Sequence, residues 1–480
     1  MTVAPFPLKK QRTSFKDRIQ HAHSTWDLWA IGITIVLGGH FTSWNAGLAA
    51  GTLGFGLAVL VVGLAYVCLA CSMAEMTSML PFAGGVYGLA RCTLGFCVGF
   101  VLGMCEVLEY ILYDASVNVS LGKALAAAWP ALEPYQPLVW ATSFGLSLTL
   151  LSLGGKLYWR FNFSLALVLL LLVLIYVCGS IQYTNMRLYA SDALFLGDDG
   201  LAKWLTSLPM AMWFYAGIEA LNTLCYEVDE PQRTIPRGQA TAMATIVFST
   251  IAVYLVTISL PPAITADATA AIFNGGFTQL FHFAPATAAL LSLPAIYAST
   301  PGLLLAAGNI VTCLAESKLV PYCLHRRHPE YGTPIRAMTG ITTLSFLCCF
   351  GVYFELHADT DLYLASMLFA ALAYSAQCLG YIFLKRRYAT MERSFRSPFG
   401  IPGAVFALAV FVVCALSIVG FHSHNGIAVA SLGVVLVFLT MYYHVYAKSR
   451  QTFSDDERKV LFFAHIGRYR CRQIEPNERD

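Results

Sequence analysis

Four short stretches of this chain combine residue types that could do chemistry. In Leu37-Gly38-Gly39-His40-Phe41-Thr42-Ser43-Trp44-Asn45, two adjacent glycines precede a polar and aromatic run. Each glycine costs a helix about 1 kcal/mol relative to alanine, so an unwound segment is expected here. Its free backbone N–H groups, at the start of the next half-helix, could hold an anion such as a carboxylate. A glycine pair that only allows close helix packing is the other reading. Trp213-Phe214-Tyr215-Ala216-Gly217-Ile218-Glu219-Ala220-Leu221-Asn222 repeats the theme, with a glycine beside an acid. Glu106, Glu109 and Asp114 form the third group. Glu106, Glu109, Tyr110 and Tyr113 recur at helical spacing and would make one polar stripe. Either these acids form a protonated hydrogen-bond network, or one of them, Glu109 by preference, meets a substrate amine or shuttles a proton. The fourth group is Ser299-Thr300-Pro301-Gly302. Hydroxyls beside a helix break can help coordinate Na⁺, although Ser and Thr also bond their own helix.

The solvent around these groups follows from composition. Of 480 residues, 57% are hydrophobic and 12% charged, roughly half the charged share of a soluble protein. With 30 Lys and Arg against 27 Asp and Glu, nothing suggests a nucleic-acid partner. The 14 cysteines are scattered and read as small buried side chains, not a disulfide scaffold or metal centre. The expectation is a polytopic membrane protein in contact with a lipid bilayer.

A helix needs about 20 mostly apolar residues to cross the hydrocarbon. Twelve such segments are expected, at 26–47, 53–79, 94–127, 138–153, 161–181, 201–226, 240–261, 285–314, 338–354, 362–384, 404–421 and 427–446. With the N-terminus in the cytoplasm, alternation puts 27 of the 30 basic residues on the cytoplasmic side, leaving Lys123, Arg187 and Lys203 outside. Both termini are therefore expected to be cytoplasmic, and residues 1–25 read as a tail, not a cleaved signal peptide. A charge at mid-membrane costs about 3 kcal/mol, and three cost about 9, whereas a dozen large apolar residues return about 5. The acids of the third span cannot all face lipid. The glycine interruptions fall in the first and sixth spans, the spacing expected of two five-helix halves of inverted topology around a midplane site.

Three stretches carry a resemblance. The first span ends Gly39-His40-Phe41-Thr42-Ser43-Trp44-Asn45-Ala46-Gly47-Leu48. A second stretch, Ala74-Glu75-Met76-Thr77-Ser78-Met79-Leu80-Pro81-Phe82-Ala83-Gly84-Gly85-Val86-Tyr87, makes a glycine turn that re-enters beside the cytoplasmic mouth. The third joins Phe214 to Glu219 with the acidic, proline and basic run from Glu227 to Arg237. In these the chain resembles the amino acid–polyamine–organocation transporter superfamily, most of all its ethanolamine permease branch, with Gly38 where that branch often has Ser.

The resemblance implies an all-α membrane fold of two inverted five-helix repeats, 26–181 and 201–386, plus two further helices, 402–447, and a cytoplasmic tail, 448–480. It also implies alternating-access transport of an amino acid or related amine across a membrane, expected to be the plasma membrane. Gly38, Gly39, His40, Phe214, Ala216, Gly217 and Glu219 would line the substrate site, with Phe214 as an aromatic lid. Glu75, Gly84, Gly85 and Tyr87 would belong to an inner gate, and Glu106 or Glu109 would handle a proton or the amine. Ser299 and Thr300 are the alternative, sodium-based ion site, and no organic cofactor is expected.

Other classes fit less well. A major-facilitator permease would carry a long central loop, where this chain has a short one. A nutrient-sensing receptor of the same fold would be favoured by a long motif-bearing tail, and the tail from Lys448 is about thirty residues. An enzyme would need a catalytic or phosphate-cradling constellation, and none of these loops offers one.

Overall fold

A computed structural model describes residues 24–190, 200–264, 272–354, 358–389, 391–422, 426–454 and 457–458. Most of the two expected tails, with 10 of their 13 basic residues, lies outside the described residues. All regular elements among those described are helical, as a bilayer demands of any open-ended fold, because each backbone polar group must find its partner inside the segment.

Nine of the helices among the described residues are long and apolar enough to cross a membrane: Thr52–Met79, Phe96–Ala128, Gly155–Tyr183, Pro231–Thr257, Pro285–Glu316, Ile335–Phe354, Thr360–Arg387, Gly400–Phe421 and Gly426–Arg450. They are the second, third, fifth and seventh to twelfth spans. The fourth is the 18-residue helix Gln136–Leu153. The first and sixth are the interrupted ones, so the twelve expected segments are accounted for. Leu53, Leu57, Leu60 and Leu64 recur at helical spacing on the second span and are all about half exposed, an apolar stripe suited to lipid.

The first span starts with a capping box, in which Ser24 Oγ accepts from Asp27 N at 3.3 Å and Ser24 N donates to Asp27 Oδ2 at 2.8 Å. Its α-helix, Thr25–Leu37, gives way at the glycine pair to 3₁₀ turns over Gly38–Phe41 and Trp44–Ala50. Ser43 between them has φ 63°. The sixth span runs as α-helix over Gly200–Met212, breaks, and resumes as a 3₁₀ turn over Ile218–Leu224. Gly217 at the break has φ 99°, a value that a side chain would strain.

Two expectations need correction. The Ser299–Gly302 stretch is not a break, because one helix runs from Leu293 to Glu316 with Pro301 inside it. The interruption in that span lies earlier, after the short helix Pro285–Leu290. Likewise, most of the run from Glu227 to Arg237 is not a loop. The seventh span starts at Pro231, where a missing N–H costs nothing. Pro236 cannot donate to the Gln232 carbonyl, and the Ser394 hydroxyl donates to it instead at 2.5 Å. Asn118 and Asn162, each in an Asn-x-Ser sequence, lie within helices with both side chains buried.

Candidate functional site

The two interrupted spans meet. A Cβ built on Gly39 would stand 2.1 Å from the carbonyl oxygen of Trp213, and one on Gly38 would stand 2.7 Å from the carbonyl oxygen of Ala295. Only glycine permits backbone approach this close. The glycine pair therefore serves close packing and unwinding at once. Ser299 Oγ lies on the same side of Gly38, 3.6 Å from that built Cβ.

Aromatic rings close over the junction. Phe214 sits between the His40 ring, edge-on with centroids 5.2 Å apart, and the Trp44 ring at 5.0 Å. His40 Nε2 hydrogen-bonds Thr250 Oγ1 at 2.9 Å, and Trp44 Nε1 donates to His40 O at 2.9 Å. Gly38, Gly39, His40, Phe214, Ala216, Gly217 and Glu219 are all buried, so the expected substrate residues are gathered in one closed place. The sixth-span break is already capped by side chains. Gly217 N donates to Glu219 Oε2 at 3.1 Å, Asn222 Nδ2 to Glu219 O at 2.9 Å, and Gln239 Nε2 to Ile218 O at 3.2 Å.

The third-span acids divide between two jobs. Glu109 neighbours Glu219. The Tyr374 hydroxyl donates to Glu109 Oε1, while Glu109 Oε2 has no partner. Tyr110 donates to Glu219 Oε1 at 3.2 Å. Neither carboxyl has a Lys or Arg against it among the described residues. Glu106 faces the glycine turn instead. Its Oε2 accepts from Val86 N at 2.7 Å and its Oε1 from Gln377 Nε2 at 3.1 Å. Gly85, at φ 53°, leaves room for that carboxylate, which a Cβ would meet at 2.1 Å. Asp114 is held by Asn118, whose Nδ2 also donates to Thr300 Oγ1 at 3.0 Å.

Of the expected inner-gate residues, Gly85 lines a cavity together with Met76, Thr77, Arg91, Asn222 and Glu457 among others, whereas Glu75, Gly84 and Tyr87 are not in its lining. Thr77 donates to Asn222 Oδ1 at 2.9 Å. Gly84 packs on the Phe82 ring. Glu75 accepts from Lys385 Nζ at 2.6 and 2.8 Å, Tyr381 OH at 2.6 Å and Ser397 N at 2.9 Å, with Arg393 at 3.3 Å. Tyr87 donates to Glu457. Beyond the sixth span, burial pushes Glu227 up to about 6, with Arg327 opposing the shift.

Sequence reasoning placed the tenth span but missed its polar face. Tyr374, Gln377, Tyr381 and Lys385 hold Glu109, Glu106 and Glu75, and their spacing of three, four and four is a helical polar stripe that was open to reading. Among the described residues, no group of three or more His, Cys, Asp or Glu is arranged to hold a metal.

Comparison with known proteins gives this geometry a context. A family model described as amino acid permease matches residues 28–457. The chain is 26% identical to the methylthioribose transporter of Bacillus subtilis (strain 168), over 78% of this chain and 84% of that protein. It is 24% identical to the branched-chain amino acid permease BcaP of the same organism, over 84% and 90%. It is also 24% identical to the human cystine/glutamate transporter, over 77% and 74%.

Proposed function

We propose that this chain, which belongs to the amino acid permease family, is a secondary transporter that moves an amino acid or related small amine, such as ethanolamine, by alternating access with proton coupling. That it is a multi-pass membrane transporter and not an enzyme follows from the family; the substrate, the coupling ion and the sidedness are the proposal.

The observation that carries the reading is the buried junction of Gly39 with Trp213, set beside the Glu109–Glu219 pair. A substrate amine entering the junction would find two carboxyls that lack a basic partner, and one proton could leave as the amine arrives. A substrate carboxylate would use N–H groups near Gly38 and Gly39; ethanolamine, which has none, would depend on the acids. The substrates named for the relatives differ widely and do not choose between these. Two inverted repeats, 26–181 and 201–386, would rock about the junction, with both termini on the cytoplasmic side of the plasma membrane and the Glu75–Tyr87 region at the inner mouth.

A sodium-coupled variant has one observation in its favour, the approach of Ser299 to Gly38. Uptake by the purified chain in liposomes tests both. Zwitterionic amino acids, ethanolamine and polyamines would be offered under an imposed pH gradient. Saturable uptake of one class, abolished by a protonophore and indifferent to Na⁺ removal, is expected. Uptake that requires Na⁺ would reject proton coupling, and uptake of none would reject the substrate class.

A further inference from the structure

Glu457, from beyond the twelfth span, lines the cavity behind the glycine turn. It is buried there, and its carboxylate touches two separate walls. On one wall, the helix Val86–Thr93, Oε1 accepts from Tyr87 OH and from Arg91 Nη1, the latter at 2.5 Å. On the other, Oε2 accepts from the hydroxyl of Ser317 at 2.5 Å, just past the end of the eighth-span helix. Thr452 N donates to Ser317 O at 3.0 Å. Gln451 Oε1 accepts from Arg91 Nη2 at 3.2 Å. The Phe453 ring lies 4.7 Å from the Arg91 guanidinium and 5.6 Å from the Phe96 ring. Ser454 N donates to Glu457 Oε2 at 2.9 Å and Glu457 N to Ser454 Oγ at 3.3 Å.

Hydrogen bonds link the cavity lining to the sixth-span break. The wall residue Asn222 accepts from Thr77 and donates to the backbone of Glu219. If this cavity is the inner passage, opening it requires the helix Val86–Thr93 to part from the neighbouring elements. A carboxylate bonded to both walls opposes that parting. Docking also removes Arg91 from water, which is tolerable only while an acid sits against it; when the segment leaves, the guanidinium needs a wet mouth. Docked and closed are thus one state, undocked and open the other.

We infer that Phe453, Ser454 and Glu457 form an autoinhibitory strap, which holds the mouth of the transport path closed by bridging Tyr87 and Arg91 to Ser317. The inference rests on the transport reading for its effect on flux, but the strap itself can be tested without flux.

The test uses the full chain. Glu457→Gln keeps the shape and weakens both bridges. In liposomes its maximal uptake rate should rise at least about twofold with KM little changed. In detergent, Cys92, which lines the same cavity, should react faster with a maleimide, followed by peptide mass spectrometry. An unchanged or lower Cys92 reactivity at equal folded protein overturns the strap, and so does an unchanged or lower uptake rate where the wild-type chain transports. Should this variant fail to fold, the pair Ser317→Cys with Thr452→Cys, joined by a short thiol crosslinker, decides. Transport that stops on joining and returns on cleavage supports the strap, and transport at the unjoined rate overturns it. A wild-type chain that moves no substrate while Cys92 still responds to Glu457→Gln would reject the transport reading and keep the strap.

Discussion

Gly39 stands against the carbonyl oxygen of Trp213 so closely that a methyl group there would lie 2.1 Å from it. The contact joins the unwound part of the first span to the break in the sixth, and its other member is backbone, which cannot rotate away. Gly39→Ala should therefore force the two spans apart. Overpacking of this kind costs about 1–3 kcal/mol, and a transport rate at least tenfold lower is expected while the protein still reaches the membrane. Uptake normalised to surface abundance measures it, and near-wild-type uptake would show that the junction is not on the path.

Glu109 and Glu219 should differ in what their amides do. Glu109 Oε2 lacks a partner, so Glu109→Gln is expected to preserve folding and to remove the dependence of uptake on an imposed pH gradient. Glu219 also caps Gly217 N, and Glu219→Gln should cost affinity as well as coupling. Uptake with and without the gradient, at several substrate concentrations, separates the two outcomes.

Removal of the Glu75 carboxylate strands Arg393, whose side chain is 5% exposed, and Lys385, which is 23% exposed. Breaking a buried pair from one side costs about 3–5 kcal/mol. Glu75→Ala should lower the melting temperature in detergent well below that of Lys385→Met, because the lysine can turn to solvent and the acid cannot.

Glu227 gives a pH signature outside the membrane spans. Its carboxyl sits at about 6 in the folded state against an ordinary 4.5, raised by burial. The folded state therefore binds more protons than the unfolded one between those values, and stability falls as pH rises through the window, by about 2 kcal/mol in all. Glu227→Gln should flatten the difference in melting temperature between pH 4.5 and pH 7.5. An unchanged difference would assign it to other groups.

The broken spans were legible because glycine pairs and a glycine beside an acid are local signals, and a bilayer leaves few places for them. Pro301 misled because a proline inside a helix interrupts it only if its neighbours offer no other packing, and here the eighth span is buried enough to continue through it. Glu106 and Glu109 looked alike in sequence, three residues apart on one face. Their partners separate them, and those partners, Val86, Gln377 and Tyr374, come from elements whose placement no local pattern encodes. Glu457 was out of reach for the same reason: its contacts lie more than 130 residues away along the chain.

The tenth span runs past three of the buried carboxyls. From Tyr374 to Lys385 it covers about 16 Å along its axis, and along that length it grips Glu109, Glu106 and Glu75 in turn. A single rigid rod thus reports on three carboxyls at three depths. A small screw motion of the rod would exchange the partners of all three together, so the effects of replacing Glu109 and Glu75 should not add. The helix thus joins the carboxyl beside the first- and sixth-span breaks to the one beside the glycine turn through a single element.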